Sequence, residues 1–256
     1  MRTKLIALTG ALAILAMIPA VAMADPTVAI KPKYNNNKAG AGSSVDFNVV
    51  VTPQAGDEYP PPGNHANVHL PKGQKIDFKP FLKQTCKKEV IIARGPQACP
   101  KKSIVGKGFA HIGTRLGGQH VYERASVIAF AGPLQGGKPV LNMYADGRSP
   151  ISAQIVLQGV LRKDKAPYGD YLDVDIPPIH TTPGSPDASI LDFTVTVGAH
   201  IVVKDKKGKK VTKNLVTVPT TCSGQGLAWA GDFSFTDGST ASASAFSPCP
   251  KGAKRR

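Results

Sequence analysis

Glycine and proline interrupt this chain so often that long helices are excluded. Of its 256 residues, 26 are glycine and 22 are proline, and both residue types destabilise the interior of a helix. Glutamate, which has a higher helix propensity than aspartate, occurs three times against fourteen aspartates. The chain still carries 41% hydrophobic residues, which is enough for a folded core. These features exclude a helical bundle, a coiled coil, a collagen repeat and a wholly disordered chain.

Between the turns, apolar residues alternate with polar ones, as they do in half-buried strands. Val45, Phe47 and Val49 alternate in this way, and Asp237-Gly238 separates two such segments as in a β-hairpin. About thirteen short strands follow one another without the strand–helix alternation of a parallel sheet. The sequence therefore predicts an all-β antiparallel β-sandwich, immunoglobulin-like or jelly-roll-like, with one short helix within residues 83–93, near the first cysteine pair. The pattern fits one large sandwich or two small ones.

The start of the chain has the three parts of an export signal. Arg2 and Lys4 form a positive start, residues 5–21 are mostly apolar, and Ala22-Met23-Ala24 is a small-x-small cleavage site. A retained anchor would need about 20 continuous apolar residues, and polar or helix-breaking residues interrupt this run. We therefore expect a secreted, extracytoplasmic protein with no membrane span after signal removal. The expected organisation is a signal peptide over residues 1–24, a β-sandwich body over 25–250 with a possible subdivision near 164–186, and a basic tail over 251–256.

Four cysteines fit an exported protein, because disulfides persist in oxidising compartments. They form two couples along the sequence, Cys86 with Cys99 and Cys222 with Cys249. Four cysteines allow three connectivities, and we expect the two local pairs. A zinc site is the alternative, but no C-x-x-C occurs and neither couple has a histidine at a ligand spacing. We expect no metal and no cofactor.

Motifs that carry catalysis are missing from the sequence. Neither the G-x-S-x-G elbow nor the H-E-x-x-H helix occurs, so we expect no catalytic residues and no enzymatic activity. The alternative is a secreted hydrolase acting on glycans, which would use Asp170, Asp173 or Asp175 with a histidine across a cleft. The same aspartates could also ligate calcium. Asp173 and Asp175 alternate with Leu172, Val174 and Ile176, which favours the outward face of a strand instead.

Basic residues dominate the charge of the chain. The net charge is +15, and loss of Arg2 and Lys4 with the signal leaves +13.

Two lysine clusters, around the first cysteine couple and at a hairpin tip, can attract polyanions if they share a face. Lysine outnumbers arginine 24 to 8, whereas bidentate binding of phosphate groups favours arginine. The chain has one tryptophan, whereas stacking on nucleic-acid bases needs aromatic side chains. We therefore expect anionic cell-envelope polymers rather than nucleic acid as partners. The alternative is that the lysines only keep strand edges and hairpin tips soluble. The candidate contacts are Lys87, Lys88, Lys101, Lys102, Lys206, Lys207, Lys209 and Lys210.

Two segments of the chain carry a resemblance to known proteins. The first comprises Leu70-Pro71-Lys72-Gly73, Cys86 and residues 95–108 (GPQACPKKSIVGKG), and the second comprises residues 229–235, Asp237-Gly238 and Cys249. Both resemble segments of uncharacterised exported β-rich proteins of high-GC Gram-positive bacteria. The resemblance implies a β-rich fold and an extracytoplasmic compartment, and it implies no catalytic residues. The expected role is a non-catalytic structural or binding module at the cell envelope. An adhesive surface module with no small ligand is a further alternative.

The export signal is directly testable by N-terminal sequencing of the protein secreted from its natural host. We expect the secreted chain to begin at Asp25, because cleavage follows the small residue at position 24. Recovery of a secreted chain that still begins with Met1 would contradict this expectation.

Overall fold

The computed structural model describes residues 25–255; the predicted signal peptide, residues 1–24, lies outside the described residues. The described part contains eighteen strands, one α-helix and three short 3₁₀ turns. The strands are β1 (Thr27–Tyr34), β2 (Gly42–Ser43), β3 (Val45–Thr52), β4 (Gly63–Pro71), β5 (Lys75–Ile76), β6 (Ile104–Leu116), β7 (Gln119–Gln135), β8 (Lys138–Gly147), β9 (Ala153–Lys163), β10 (Tyr168–Asp175), β11 (Ser189–Val197), β12 (His200–Lys204), β13 (Lys210–Asn214), β14 (Val216–Thr217), β15 (Thr221–Cys222), β16 (Leu227–Phe235), β17 (Thr240–Ser247) and β18 (Lys254–Arg255). The helix is α1 (Lys88–Arg94), and the 3₁₀ turns are Lys79–Gln84, Pro96–Ala98 and Lys101–Ser103.

Eleven of these strands form one continuous antiparallel sheet. Their order is β1-β3-β11-β6-β7-β8-β9-β10-β4-β16-β17. The two edge strands of this order, β1 and β17, contact each other, so the sheet curls round until it is nearly closed. The predicted all-β antiparallel class with one short helix is confirmed, and the sandwich is built from a single sheet folded on itself.

Alternating side chains explain why this sheet has an inside. In β3, Val45, Phe47, Val49 and Val51 are buried, and the residues between them are partly exposed. Because successive side chains in a strand point to opposite faces, this alternation sends one apolar row of each strand into a shared interior. On β10 the buried residue is Val174, between two aspartates that point outwards as the sequence predicts.

The antiparallel order sends the connections between strands to two ends of the sheet. We call one the loop-rich end; it contains residues 35–44, 72–103, 136–137, 164–167, 198–226 and 248–255. The opposite end contains residues 25–26, 53–62, 117–118, 148–152, 176–188 and 236–239. Nearly all the irregular chain therefore lies at the loop-rich end, which also includes the short strands outside the main sheet.

Helix α1 covers an apolar patch on the outer face of the sheet. Ile91 of the helix packs against Phe130, Tyr144 and Val156, together with the disulfide between Cys86 and Cys99. The helix lies near the first cysteine pair, as predicted. This cover removes a cluster of large apolar side chains from water.

The two disulfides form the local pairs that the sequence predicts. The Cα atoms are 5.3 Å apart in the Cys86–Cys99 pair and 5.7 Å apart in the Cys222–Cys249 pair. The second pair ties the segment after β17 to β15, where β18 adds a parallel pairing. Disulfides of this kind persist in oxidising, extracytoplasmic environments.

Within residues 25–255, no helix has the length and apolar content needed to cross a membrane.

Removing the second disulfide should destabilise the fold. The double variant Cys222→Ser/Cys249→Ser should lose about 3 kcal/mol of unfolding free energy, because the bridge constrains a loop of the unfolded chain. For a domain of this size, the loss lowers Tm by roughly 6 to 12 °C in calorimetry. A double variant that melts at the wild-type temperature would contradict this contribution.

Candidate functional site

The two ends of the sheet carry opposite net charges. The loop-rich end carries twenty Lys or Arg and four Asp or Glu, a formal net charge of +16, whereas the opposite end carries one Arg and five Asp or Glu, a net charge of −4. The cations of the loop-rich end are Lys38, Lys72, Lys75, Lys79, Lys83, Lys87, Lys88, Arg94, Lys101, Lys102, Lys165, Lys204, Lys206, Lys207, Lys209, Lys210, Lys213, Lys251, Lys254 and Arg255, and its acids are Asp77, Glu89, Asp164 and Asp205.

At physiological salt, the charges at one end of the sheet are screened from those at the other end. An eight-residue strand such as β3 spans about 26 Å, whereas the Debye length is about 8 to 10 Å at physiological ionic strength. The acids of the opposite end therefore do not cancel the field of the loop-rich end.

Both predicted lysine clusters lie at the loop-rich end, and one 3₁₀ turn connects their elements. This turn, Lys79–Gln84, contacts both β12 of the lysine-rich hairpin and the 3₁₀ turn Lys101–Ser103. Seven of the eight candidate lysines are exposed, and Lys88 is half-buried. Among the described residues, none of the eight forms an ion pair with a carboxylate. Their charge is therefore available to a partner.

The hairpin tip is held in shape by its own aspartate. Asp205 Oδ1 accepts hydrogen bonds from the backbone N–H groups of Lys207 and Lys209, each at 2.9 Å. Gly208 has φ 77°, a left-handed conformation that glycine adopts without steric cost. The turn thus directs the surrounding lysines outwards while the nearest acid is occupied by backbone donors.

Histidine–carboxylate pairs are the feature that sequence reasoning missed. Five of the six histidines pair with an acid. Four of them pair with acids that are distant in sequence: His65–Asp173 (3.2 Å), His69–Asp164 (2.6 Å) and His69–Asp232 (3.0 Å), His111–Asp192 (2.6 Å) and His120–Glu58 (2.5 Å). The fifth pair, His180–Asp187 (2.6 Å), lies within one connection. In sequence these histidines have no acidic neighbour. Strand register was the missing signal, since Asp192 lies directly opposite His111 in the β11–β6 ladder.

His69 is the most enclosed of these histidines. Its side chain is 16% exposed, and its ring packs against Tyr168 and Tyr171 at centroid distances of 5.0 and 5.8 Å. Asp164 and Asp232 hold one ring nitrogen each, so neither nitrogen is free to accept a proton from a substrate. The arrangement ties β4 to β16 and to the 164–167 connection.

The two aspartates favour the charged form of this imidazole. Burial lowers the pKa of His69, but the hydrogen bonds and charges of Asp164 and Asp232 outweigh it, and the pKa lies above its ordinary 6.5. The pKa of Asp232 lies below its ordinary value, chiefly because Ser242 Oγ donates a 2.6 Å hydrogen bond to it, and also because of His69. Ser242 bonds the carboxylate and not the imidazole, so it is not activated as a nucleophile.

Two of the three aspartates of the hydrolase alternative, Asp173 and Asp175, lie on the outer face of β10, whereas Asp170 lies near the start of the strand and does not share that face. Lys163 pairs with Asp170 at 2.8 Å, and Arg162 donates to Asp173. Asp175 is exposed at the end of the strand. The structure thus does not place these carboxylates opposite one another across a cleft. In the described part of the chain, no three His, Cys, Asp or Glu side chains are grouped so that they could hold a metal ion.

A shallow groove of about 570 Å³ runs over the outer face of β3, β11 and β6. Glu58, His111 and Asp192 line it beside the ring of Phe109, on which the guanidinium of Arg124 lies 4.3 Å from the centroid. The ionisable groups of the groove are already paired, His111 with Asp192 and Glu58 with a neighbouring histidine. The groove therefore offers polar contacts but no unpaired acid or base.

The interior of the sheet contains an apolar cavity of about 180 Å³. A closed sheet of eight strands has an interior just wide enough for its own side chains, and eleven strands enclose more space. At about 24 cal/mol per Å³, an empty void of this size costs about 4 kcal/mol. Its polar lining includes Gln74, which accepts a hydrogen bond from the buried Tyr34 hydroxyl; burial raises the pKa of Tyr34 far above its ordinary value.

No family model, no curated protein and no solved structure matches the chain.

The pairing of His69 should make stability depend on pH in a defined window. Because the folded-state pKa of His69 is raised, its contribution is complete below pH 6.5 and is lost as pH rises through the folded-state pKa. The contribution of Asp232, whose pKa is lowered, is complete above pH 3.8 and is lost as pH falls through its folded-state pKa. His69→Gln should therefore cost about 2 kcal/mol near pH 5 and less near pH 9, measured as Tm against pH.

His200→Gln is the matched control for this experiment. His200 is exposed and has no carboxylate partner among the described residues, so its replacement should shift Tm equally little at both pH values. Equal losses for His69→Gln at pH 5 and pH 9 would show that the ion pairs do not stabilise the fold.

Proposed function

We propose that this protein is an exported, disulfide-braced module that binds anionic polymers of the cell envelope through its loop-rich end. The observation that carries the proposal is the separation of charge, with a net +16 at one end of the sheet and −4 at the other. The disulfide-bonded all-β fold is compatible with an extracellular structural module. A polymer held at the loop-rich end would leave the acidic end facing away from the anionic surface.

The chemistry of the loop-rich end favours a polymer over a small anion. Its cations are mostly lysines, which act as hydrated point charges on flexible stems, whereas a compact phosphate or carboxylate site favours arginine forks. The candidate lysines are spread over the hairpin and the first disulfide segment and do not converge on one cavity. Such a surface neutralises charges distributed along a chain, and its affinity falls as salt rises.

Binding to poly(glycerol phosphate) tests the proposal. The protein should be retained on the immobilised polymer at about 0.1 M salt, where charges interact over about 10 Å, and released at about 1 M, where the range is about 3 Å. Lys206→Gln/Lys207→Gln/Lys209→Gln should weaken binding roughly a hundredfold at low salt, since each lysine near an anionic surface contributes about 1 kcal/mol.

A second triple variant controls for total charge. Lys31, Arg115 and Arg124 are exposed on the strands of the main sheet, away from the connections of the loop-rich end. Replacing all three with glutamine removes the same charge and should change Kd less than threefold. Equal weakening by both triples would contradict a localised site. Retention that is unchanged between the two salt concentrations, or no retention at all, would contradict the proposed function and favour an adhesive module without this ligand.

A further inference from the structure

We propose that the interior cavity of the sheet binds a small uncharged apolar ligand, of about the size of one six-membered hydrocarbon ring with one or two further atoms. The cavity lies between inward-facing side chains from opposite sides of the nearly closed sheet. These include Phe47, Leu70, Leu157, Val174, Val195 and Trp229.

The size of the cavity sets the size of the ligand. Protein interiors are close-packed and contain few voids larger than a water molecule, so a void of about 180 Å³ is unusual. An engineered apolar cavity of about 150 Å³ in another protein stays dry and binds benzene or xenon. The cavity of this protein is slightly larger, and it therefore admits a benzene-sized group with a small substituent.

The polarity of the lining sets the chemical class of the ligand. Gln74 already accepts a hydrogen bond from Tyr34, and the indole N–H of Trp229 donates to Ser247 Oγ at 3.0 Å. The buried polar side-chain atoms that lack a partner belong to residues that do not line the cavity. Water needs two to four polar partners to occupy such a space, so an apolar ligand competes with an empty cavity.

This site is independent of polymer binding at the loop-rich end. Among the described residues, no Lys, Arg, Asp or Glu lines the cavity, and the one histidine at its margin, His65, is paired with Asp173. Binding there should therefore be insensitive to salt, and the lysine variants should leave it unchanged.

Trp229 provides a local readout, because it is the single tryptophan of the chain, is 1% exposed and lines the cavity. Bromobenzene should quench its emission saturably, through contact of the heavy atom with the indole. Benzene, which lacks the heavy atom, should reverse the quenching by competition. At a free concentration ten times Kd, bromobenzene should raise Tm by about 3 to 5 °C.

Filling the cavity should remove the site. Val174→Phe places a ring in the void and should weaken bromobenzene binding at least tenfold. Val174→Leu, which adds one methylene, should weaken it less and serves if the phenylalanine variant does not fold. Val202→Phe is the matched control, since Val202 is 59% exposed on the hairpin and does not line the cavity. The Val202→Phe variant should bind bromobenzene with the same affinity as the wild type.

Quenching that rises linearly with bromobenzene, does not saturate and is equal in the wild type and both Val174 variants would overturn the proposal. Such a result would indicate collisions with the protein surface. Saturable quenching that persists at high salt, and is lost on filling the cavity, would support it.

Discussion

The whole molecule depends on the closure of one antiparallel sheet around a shared apolar interior. Each strand contributes one row of apolar side chains, and no row is buried unless the sheet curls back on itself. Trp229 joins the two margins of the sheet, because its ring lies 5.7 Å from Tyr34 on β1 and 6.2 Å from Phe47 on β3. Closure therefore brings together residues that are almost 200 positions apart in sequence.

Closure has two consequences for function. Antiparallel neighbours send every connection to one of two ends, and the long lysine-rich connections share one of them, so charge that is scattered along the chain becomes a field at one end. Eleven strands also enclose more space than their side chains fill. The loop-rich end and the interior cavity are thus two separate proposed binding sites. Salt should weaken binding at the loop-rich end and leave binding in the cavity unchanged.

Local rules accounted for most of the strands, the hairpin turns and the disulfides. A distant contact shifts the bounds of the predicted helix, whose presence is confirmed. The sequence predicts a helix within residues 83–93, whereas the chain makes the 3₁₀ turn Lys79–Gln84 and then α1 from Lys88. The reason is Cys86, whose N–H donates to the carbonyl of Ala131 on β7 at 2.9 Å and whose sulfur is bound to Cys99. Those contacts hold the chain extended between the two helical segments.

The sequence by itself determined which side of each strand is apolar, where the chain turns and that the charge is basic, because these properties depend on the chain's own residues and their near neighbours. Only the tertiary structure decided the order of strands, the partners of the histidines, the meeting of the two lysine clusters and the cavity. Each of these depends on register and closure between distant strands, and an alternating pattern fits many registers equally well. The carboxylates of Asp164 and Asp232 show this most directly, since no local pattern places them on either side of His69.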